Sequence, residues 1–307
     1  MTTTDSLLGT VYDGRYKILK RCGQGGMANV YLAEDETLGR EVAIKVLHER
    51  FATDDSFKER FHREASAAAR LNHPNIVQVY DRGQTGNTYY IVMEYVDGLT
   101  LKDLVKTRGP LTEAEVLNYT RQALHALRFA HRNGVVHRDI KPHNLMVDAD
   151  GRVRIADFGI ARAGADEGLT EAGSIVGTAQ YLSPEQARGS AVAASSDLYS
   201  LGVVMFELAT GRVPFDGETP VNVALQHVND PVPRPAGINP SITPPLEAII
   251  LRAMQKDPTL RYGSADEMLQ DLDAARAGEI TEETAALTSV LPMQGQTTTH
   301  VLPAASM

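Results

Sequence analysis

The 307-residue sequence has one cysteine, Cys22, no run approaching about 18 apolar residues, and fewer basic than acidic side chains. A lone cysteine excludes an intrachain disulfide and suits a reducing compartment, and Cys22 is expected to be a buried structural thiol. Lacking a long apolar run, the chain is not expected to enter a membrane, and residues 1–13 have neither the basic start nor the apolar core of a secretory leader. With 30 Lys and Arg against 39 Asp and Glu, the net charge is −9. Nucleic acids and anionic membrane surfaces are polyanions that call for the opposite balance, so proteins are the expected partners and the cytoplasm the expected compartment.

What is present is the composition of a folded domain, 43% hydrophobic and 22% charged. The length suits two ordinary domains or one two-lobed unit. From Arg15 to Leu47, the runs RYKILKRCG, NVYLAE and EVAIKVL are rich in β-branched and aromatic residues around a Gly-rich turn, which predicts an antiparallel sheet. Phe57, Phe61, Ala65, Ala68 and Leu71 recur about one turn apart, predicting a helix that ends at Asn72-His73-Pro74. Two more strands, IVQVYD and TYYIVMEYV, precede Asp97-Gly98.

After Gly109-Pro110 the period changes from strand to helix. Thr112 with Glu115 predicts a capping box opening a helix through His131, and Ser264 with Glu267 predicts a second. Asp150-Gly151 marks a hairpin between NLMVD and RVRIAD, and SDLYSLGVVMFELAT and LEAIILRAM read as helices. Beyond Gly278 the chain turns rich in Thr, Gln, Pro and Ala and is expected to be a disordered tail. No internal repeat is visible. The class is α+β, strands first and helices second.

Several short motifs carry chemistry. Gly23, Gln24, Gly25, Gly26, Met27, Ala28, Asn29 and Val30 form a Gly-rich turn between strands, the kind of backbone that can approach phosphate oxygens, although alone it reads equally as a hairpin. Val42-Ala43-Ile44-Lys45 puts Ala43 and Lys45 on one face of the next strand. His137-Arg138-Asp139-Ile140-Lys141-Pro142-His143-Asn144 is followed by Asp157-Phe158-Gly159 and Ser183-Pro184-Glu185. In this order the motifs resemble those of protein kinases, Lys141 with Thr178 resembles the serine/threonine branch, and GTAQYLSPEQARG with DLYSLGVVMFEL resembles the receptor-type kinases of Gram-positive bacteria. The likeness covers residues 14–277; Ala28 stands where the family has a third Gly, and Ser183 where it has Ala.

The resemblance implies a two-lobed protein kinase fold, with an N-lobe over 14–96 and a C-lobe over 97–277, flanked by an N-terminal extension (1–13) and a tail or juxtamembrane linker (278–307). It implies transfer of the ATP γ-phosphoryl group to Ser or Thr hydroxyls with Mg²⁺, or Mn²⁺ in its place. Asp139 would take the acceptor proton, Lys141 contact the transferred group, and Asn144 and Asp157 hold metal. Lys45 would grip the phosphates and pair with Glu64. Nucleotide would rest against residues 22–30, Ala43, Met93, Glu94, Val96 and Met146, so that Cys22 also falls in the binding set. Arg138 beside Asp139 implies control by activation-loop phosphorylation, with Thr170 first and Ser174 second, since Ala172 replaces a common second threonine. Thr281, Thr284 and Thr288 read as an inert linker or as further phosphosites. A homodimer through the N-lobe, and a place on the cytoplasmic side of a longer membrane-anchored chain, are further implications. Two rivals remain at this stage: a pseudokinase or nucleotide-binding scaffold, disfavoured by the intact Lys45, Asp139, Asn144 and Asp157, and a small-molecule phosphotransferase, disfavoured by the full segment ending in Pro184-Glu185.

Overall fold

A computed structural model of the chain describes residues 7–52, 61, 65–66, 68–86, 88–158, 179–281 and 284. A two-residue strand, β1 (Val11–Tyr12), forms within what the sequence reads as an N-terminal extension, and the alternating runs after it form β2 (Tyr16–Gln24), β3 (Ala28–Asp35) and β4 (Arg40–Leu47). With β5 (Val79–Thr85) and β6 (Thr88–Glu94) they make a six-stranded antiparallel sheet in the order β1-β2-β3-β4-β6-β5. The period of two sorts the side chains. Val42, Ile44 and Val46 join Tyr16, Tyr31 and Tyr90 in a cluster on one face. Ala43 and Leu47 point to the other, with Phe61, Ala65, Ile91 and Met93.

Lys45 lies between Ala43 and Leu47 on that second face. The sequence pattern begins β5 at Ile76, but the strand starts at Val79; Ile76 makes an isolated parallel bridge to Ile155 instead, tying the sheet to the second lobe. A short helix, α1 (Glu49–Ala52), follows β4. Of the residues predicted for the helix before Asn72, Phe61, Ala65, Ala68 and Leu71 are buried, and Phe57 lies outside the described residues.

The second lobe opens with β7 (Gly98–Thr100) and α2 (Leu101–Arg108). Helix α3 (Glu113–Arg132) starts at the predicted box: Thr112 Oγ1 accepts from the Glu115 N–H, and the Glu115 carboxylate accepts from the Thr112 N–H at 3.0 Å. Strands β8 (Leu145–Asp148) and β9 (Val153–Ile155) form a hairpin beside β7, turning at Gly151 with φ 75°. That hairpin sets the site, because Asn144 immediately precedes β8 and Asp157 lies two residues past β9.

Helices α4 (Pro184–Ala187), α5 (Ala194–Thr210), α6 (Pro220–Asn229), α7 (Pro244–Ala253) and α8 (Ala265–Arg276) complete the lobe. Every residue of α5 from Ser196 to Thr210 is buried, as expected of a helix apolar on all sides. At Gly202 an added Cβ would meet the Ala253 Cβ at 2.8 Å, so the α5 backbone lies directly against that side chain of α7. The second capping box forms by half. Ser264 Oγ accepts from the Glu267 N–H, but the Glu267 carboxylate turns to the Gly263 N–H and to Arg252. Past Gly278, Thr281 and Thr284 both donate to Asp271, and Thr284 is buried.

Candidate functional site

The Gly-rich turn comes out as a hairpin between β2 and β3, closed by the Gly25 N–H donating to the Ala28 carbonyl at 2.9 Å. A Cβ on Gly25 would crowd that carbonyl at 3.1 Å, which is the local reason for glycine. Ala28 is buried opposite Leu47, so the small residue in place of a third glycine serves packing. Cys22 corrects the sequence reading: its side chain is exposed, because the outer part of β2 rides over the sheet edge with little covering it.

Val30, Ala43, Met93, Val96 and Met146 gather in one apolar cluster, drawn from β3, β4, β6, the segment after β6, and β8. Lys45 stands at its edge. Its Nζ lies 2.7 Å from Asp157 Oδ1, bridging the sheet to the segment after β9. Burial pushes the Asp157 carboxyl up, but the adjacent Lys45 charge and hydrogen bond outweigh it, and the group is held below the usual carboxylate range. Glu64, expected to pair with Lys45, lies outside the described residues. So do Gly159, Thr170, Ser174 and Thr178.

Across the cleft, one loop supplies the remaining groups. Lys141 Nζ is 2.7 Å from Asp139 Oδ2. Asn144 Nδ2 donates to the Asp139 carbonyl at 2.9 Å and approaches its Oδ2 at 3.2 Å, which turns the amide Oδ1 the other way. The loop is braced by buried Asp197 on α5, which accepts from the His137 N–H and the Arg138 N–H, each at 2.8 Å, and meets His131 Nε2 at 2.8 Å. His137 is buried, 2.9 Å from the Ala156 carbonyl through Nε2, with its ring edge-on to buried Phe158.

Two residues of the site have left-handed backbones without being glycine, Arg138 at φ 68° and Asp157 at φ 62°. Such conformations are costly and persist only where surroundings enforce them. Here the Asp197 carboxylate holds the Arg138 N–H, and Lys45 holds the Asp157 side chain. Ser183 is the N-cap of α4, its Oγ accepting from the Gln186 N–H, so the serine that replaces alanine in the motif opens the helix. Glu185 forms a two-point pair with buried Arg261, at 2.8 and 2.9 Å, and accepts from Ser196 Oγ at 2.6 Å. Against the upward push of burial, these bonds keep the Glu185 carboxyl low and charged.

A protein kinase domain family model matches residues 16–272. The chain belongs to the protein kinase family. It is 51% identical to the serine/threonine-protein kinase PrkC of Bacillus subtilis over 269 residues, 88% of this chain and 42% of that protein. To the serine/threonine-protein kinase PknB of Mycobacterium tuberculosis it is 50% identical over 281 residues, 89% of this chain and 45% of the relative. The kinase domain thus spans less than half the length of these relatives. The solved PknI kinase domain of M. tuberculosis superposes with a TM-score of 0.70 at 31% identity, covering 88% of this chain and 98% of that one. The N-lobe sheet and helical C-lobe are those of the protein kinase fold, and these relatives lend no support to a pseudokinase reading. None of the helices among the described residues is long and apolar enough to cross a membrane.

Several supports of the kinase site were missed in the sequence. His131 joins Asp197 from 66 residues away, and Gln186 Nε2 donates to the Arg138 carbonyl at 2.7 Å. Buried Glu207 on α5 accepts from Tyr181 Oη at 2.6 Å and pairs with Lys102 at 2.5 Å. His131 and Glu207 are polar residues on apolar helix faces, the one signal that could have marked them.

Proposed function

We propose that this kinase domain transfers the ATP γ-phosphoryl group to Ser or Thr hydroxyls of proteins. The observation that carries the reading is the joint placement of Asp139, Lys141 and Asn144 on one braced loop, facing Asp157 and Lys45. Phosphoryl transfer needs positioning, charge neutralisation and one proton acceptor, and these five side chains supply that set. The donor atoms suit a hard cation: the Asn144 Oδ1 turned from Asp139 and the Asp157 carboxylate are oxygens, which Mg²⁺ prefers and Mn²⁺ accepts.

When bound, Mg²⁺-ATP supplies the transferable phosphoryl group and an ADP leaving group. Asp139 orients the acceptor hydroxyl and takes its proton as the new P–O bond forms and the bond to ADP breaks. Lys141, already beside Asp139, neutralises charge on the transferring group. Lys45 would hold phosphate oxygens, and Asp157, with Asn144, would hold the cation that neutralises them. The Glu94 N–H is committed to the Gln78 carbonyl at 2.8 Å, which leaves the Glu94 carbonyl and the Val96 main chain for the adenine edge. Val30, Ala43 and Met146 sandwich the ring.

Arg138 supports activation through a phosphate on Thr170, with Ser174 the second candidate. ATP as donor and a single unpaired cysteine support a cytoplasmic location, and the family likeness supports a homodimer through the N-lobe, which sedimentation would detect. The deciding experiment incubates the chain and its Asp139→Asn variant with labelled ATP and Mg²⁺, then maps phosphosites by mass spectrometry. Label on Thr170 or nearby Ser and Thr in the unsubstituted chain alone is the expected result. Absence of label, with Mn²⁺ and a generic acceptor also present, would return the chain to nucleotide-binding scaffolds.

A further inference from the structure

The segment that follows residue 178 runs as a single 3₁₀ turn, Ala179–Tyr181, into α4, and Gln186 fastens it to the catalytic loop. Two successive carbonyls of this turn are held from below by buried side chains. Ser200 Oγ on α5 donates to the Tyr181 carbonyl at 2.8 Å. His227 on α6 meets the Gln180 carbonyl with Nε2 at 3.0 Å.

A carbonyl can only accept, so His227 Nε2 carries a proton, and burial keeps the ring neutral, which leaves Nδ1 bare. The Tyr199 hydroxyl, 2.9 Å from Nδ1, therefore donates to it. His227 is fully buried, edge-on to Phe215 and to Tyr199, and its own carbonyl receives Lys256 Nζ at 2.8 Å. The Gln180 side chain is held separately, donating to Asp216 Oδ1 at 3.3 Å. A polar ring is thus sunk among aromatics with both nitrogens used, and its outward bond goes to the backbone beside the catalytic loop.

We propose that His227 is a positioning residue for the protein acceptor, fixing the Gln180–Tyr181 edge along which the acceptor chain lies as its hydroxyl meets Asp139. The inference rests on the phosphotransferase reading above. His227 touches neither the apolar cluster that takes the base nor Lys45 and Asp157. Its loss therefore acts on the acceptor and leaves the nucleotide alone.

Two isopolar substitutions of the full chain separate the ring nitrogens. In His227→Gln the amide reaches the Nε2 position and still donates to the Gln180 carbonyl; in His227→Asn it reaches only the Nδ1 position and leaves that carbonyl unmet. With dephosphorylated casein as acceptor, His227→Asn should raise the acceptor KM about tenfold, the cost of one unmet buried carbonyl. The ATP KM should stay the same, and His227→Gln should rescue the acceptor KM to within about twofold of the unsubstituted chain. Equal effects of the two variants, or an ATP KM that rises with the acceptor KM, would overturn the proposal and leave His227 as packing. An unsubstituted chain that labels neither itself nor casein would remove the phosphotransferase reading and this inference together.

Discussion

The two sides of the cleft are built differently. On the C-lobe side, each site group has a buried polar support: Asp197 under His137 and Arg138, Arg261 behind Glu185, His227 and Ser200 under residues 180–181. On the N-lobe side, the Gly-rich turn has exposed Gln24, Gly25 and Met27, and Lys45 reaches across to Asp157, a partner in the other lobe. The difference teaches where precision is needed. In the proposed reaction the acceptor hydroxyl and Asp139 must meet within hydrogen-bond distance, and Asp139 does sit on the braced side. In the same proposed reaction phosphates would enter and leave on the N-lobe side, where one cross-lobe ion pair and a short turn stand.

The largest effect should come from Asp139, the proton acceptor of the proposed reaction. Asp139→Asn keeps the shape and the Asn144 bond to the main chain but removes the proton acceptor. We expect kcat to fall by about 10³-fold with ATP affinity nearly unchanged, read by label transfer beside nucleotide binding. Lys45→Met should do the reverse in part, weakening ATP binding while the C-lobe frame survives. Similar ATP affinity in both variants would break the contrast between the two sides.

Next comes the frame. Arg261 is fully buried against Glu185, so Arg261→Met leaves a buried carboxylate without its cation and should cost about 3–5 kcal/mol of stability in urea unfolding. Adding Glu185→Gln should recover part of that loss, because the stranded charge is gone. A smaller loss is expected for Asp197→Asn. The isosteric amide keeps one oxygen to accept but not two, so one of the His137 and Arg138 N–H groups goes unmet, at about 1–3 kcal/mol. If the loop only packs and is not braced, neither kcat nor stability will move.

Much of this was legible in the sequence, for a physical reason. Asp139, Lys141, Asn144 and Asp157 lie in a short stretch whose motifs resemble those of protein kinases, and the hairpin Asp150-Gly151 between them has its own turn signature. Strand alternation fixes the face of Lys45, and the likeness of Val42-Ala43-Ile44-Lys45 to the family motif is what singles it out among the lysines. The errors share a different cause. Residue type alone puts Cys22 inside, whereas its position on outer β2 leaves it uncovered. The Ser264 box failed by half because Arg252, distant in sequence, competes for Glu267. His131, Gln186 and His227 were invisible as supports, since each acts on a group 47 to 66 residues away. The left-handed Arg138 and Asp157 could not be foreseen where only glycine announces that backbone.

The smallest expected effect is a pH slope that tests whether the buried frame under the acceptor edge holds a neutral ring. Burial first, then the nearby Lys256 charge, pushes the His227 imidazole down to about 3, against the opposing bond to Gln180. The folded value lies below the unfolded one of about 6.5, so between these two values the unfolded chain binds a proton that the folded chain refuses. Stability is then present in full above pH 6.5 and drains away as pH falls, by about 1.4 kcal/mol per unit, reaching about 2 kcal/mol at pH 5. Lys256 keeps its charge throughout this range and Tyr199 its proton, so neither cancels the slope. His227→Gln cannot titrate, and the difference between its urea midpoints and those of the unsubstituted chain should shrink as pH drops from 7 to 5. A constant difference would mean that His227 already carries a proton in the fold, and the Nε2–H to Gln180 bond would then be one of two donations from a charged ring.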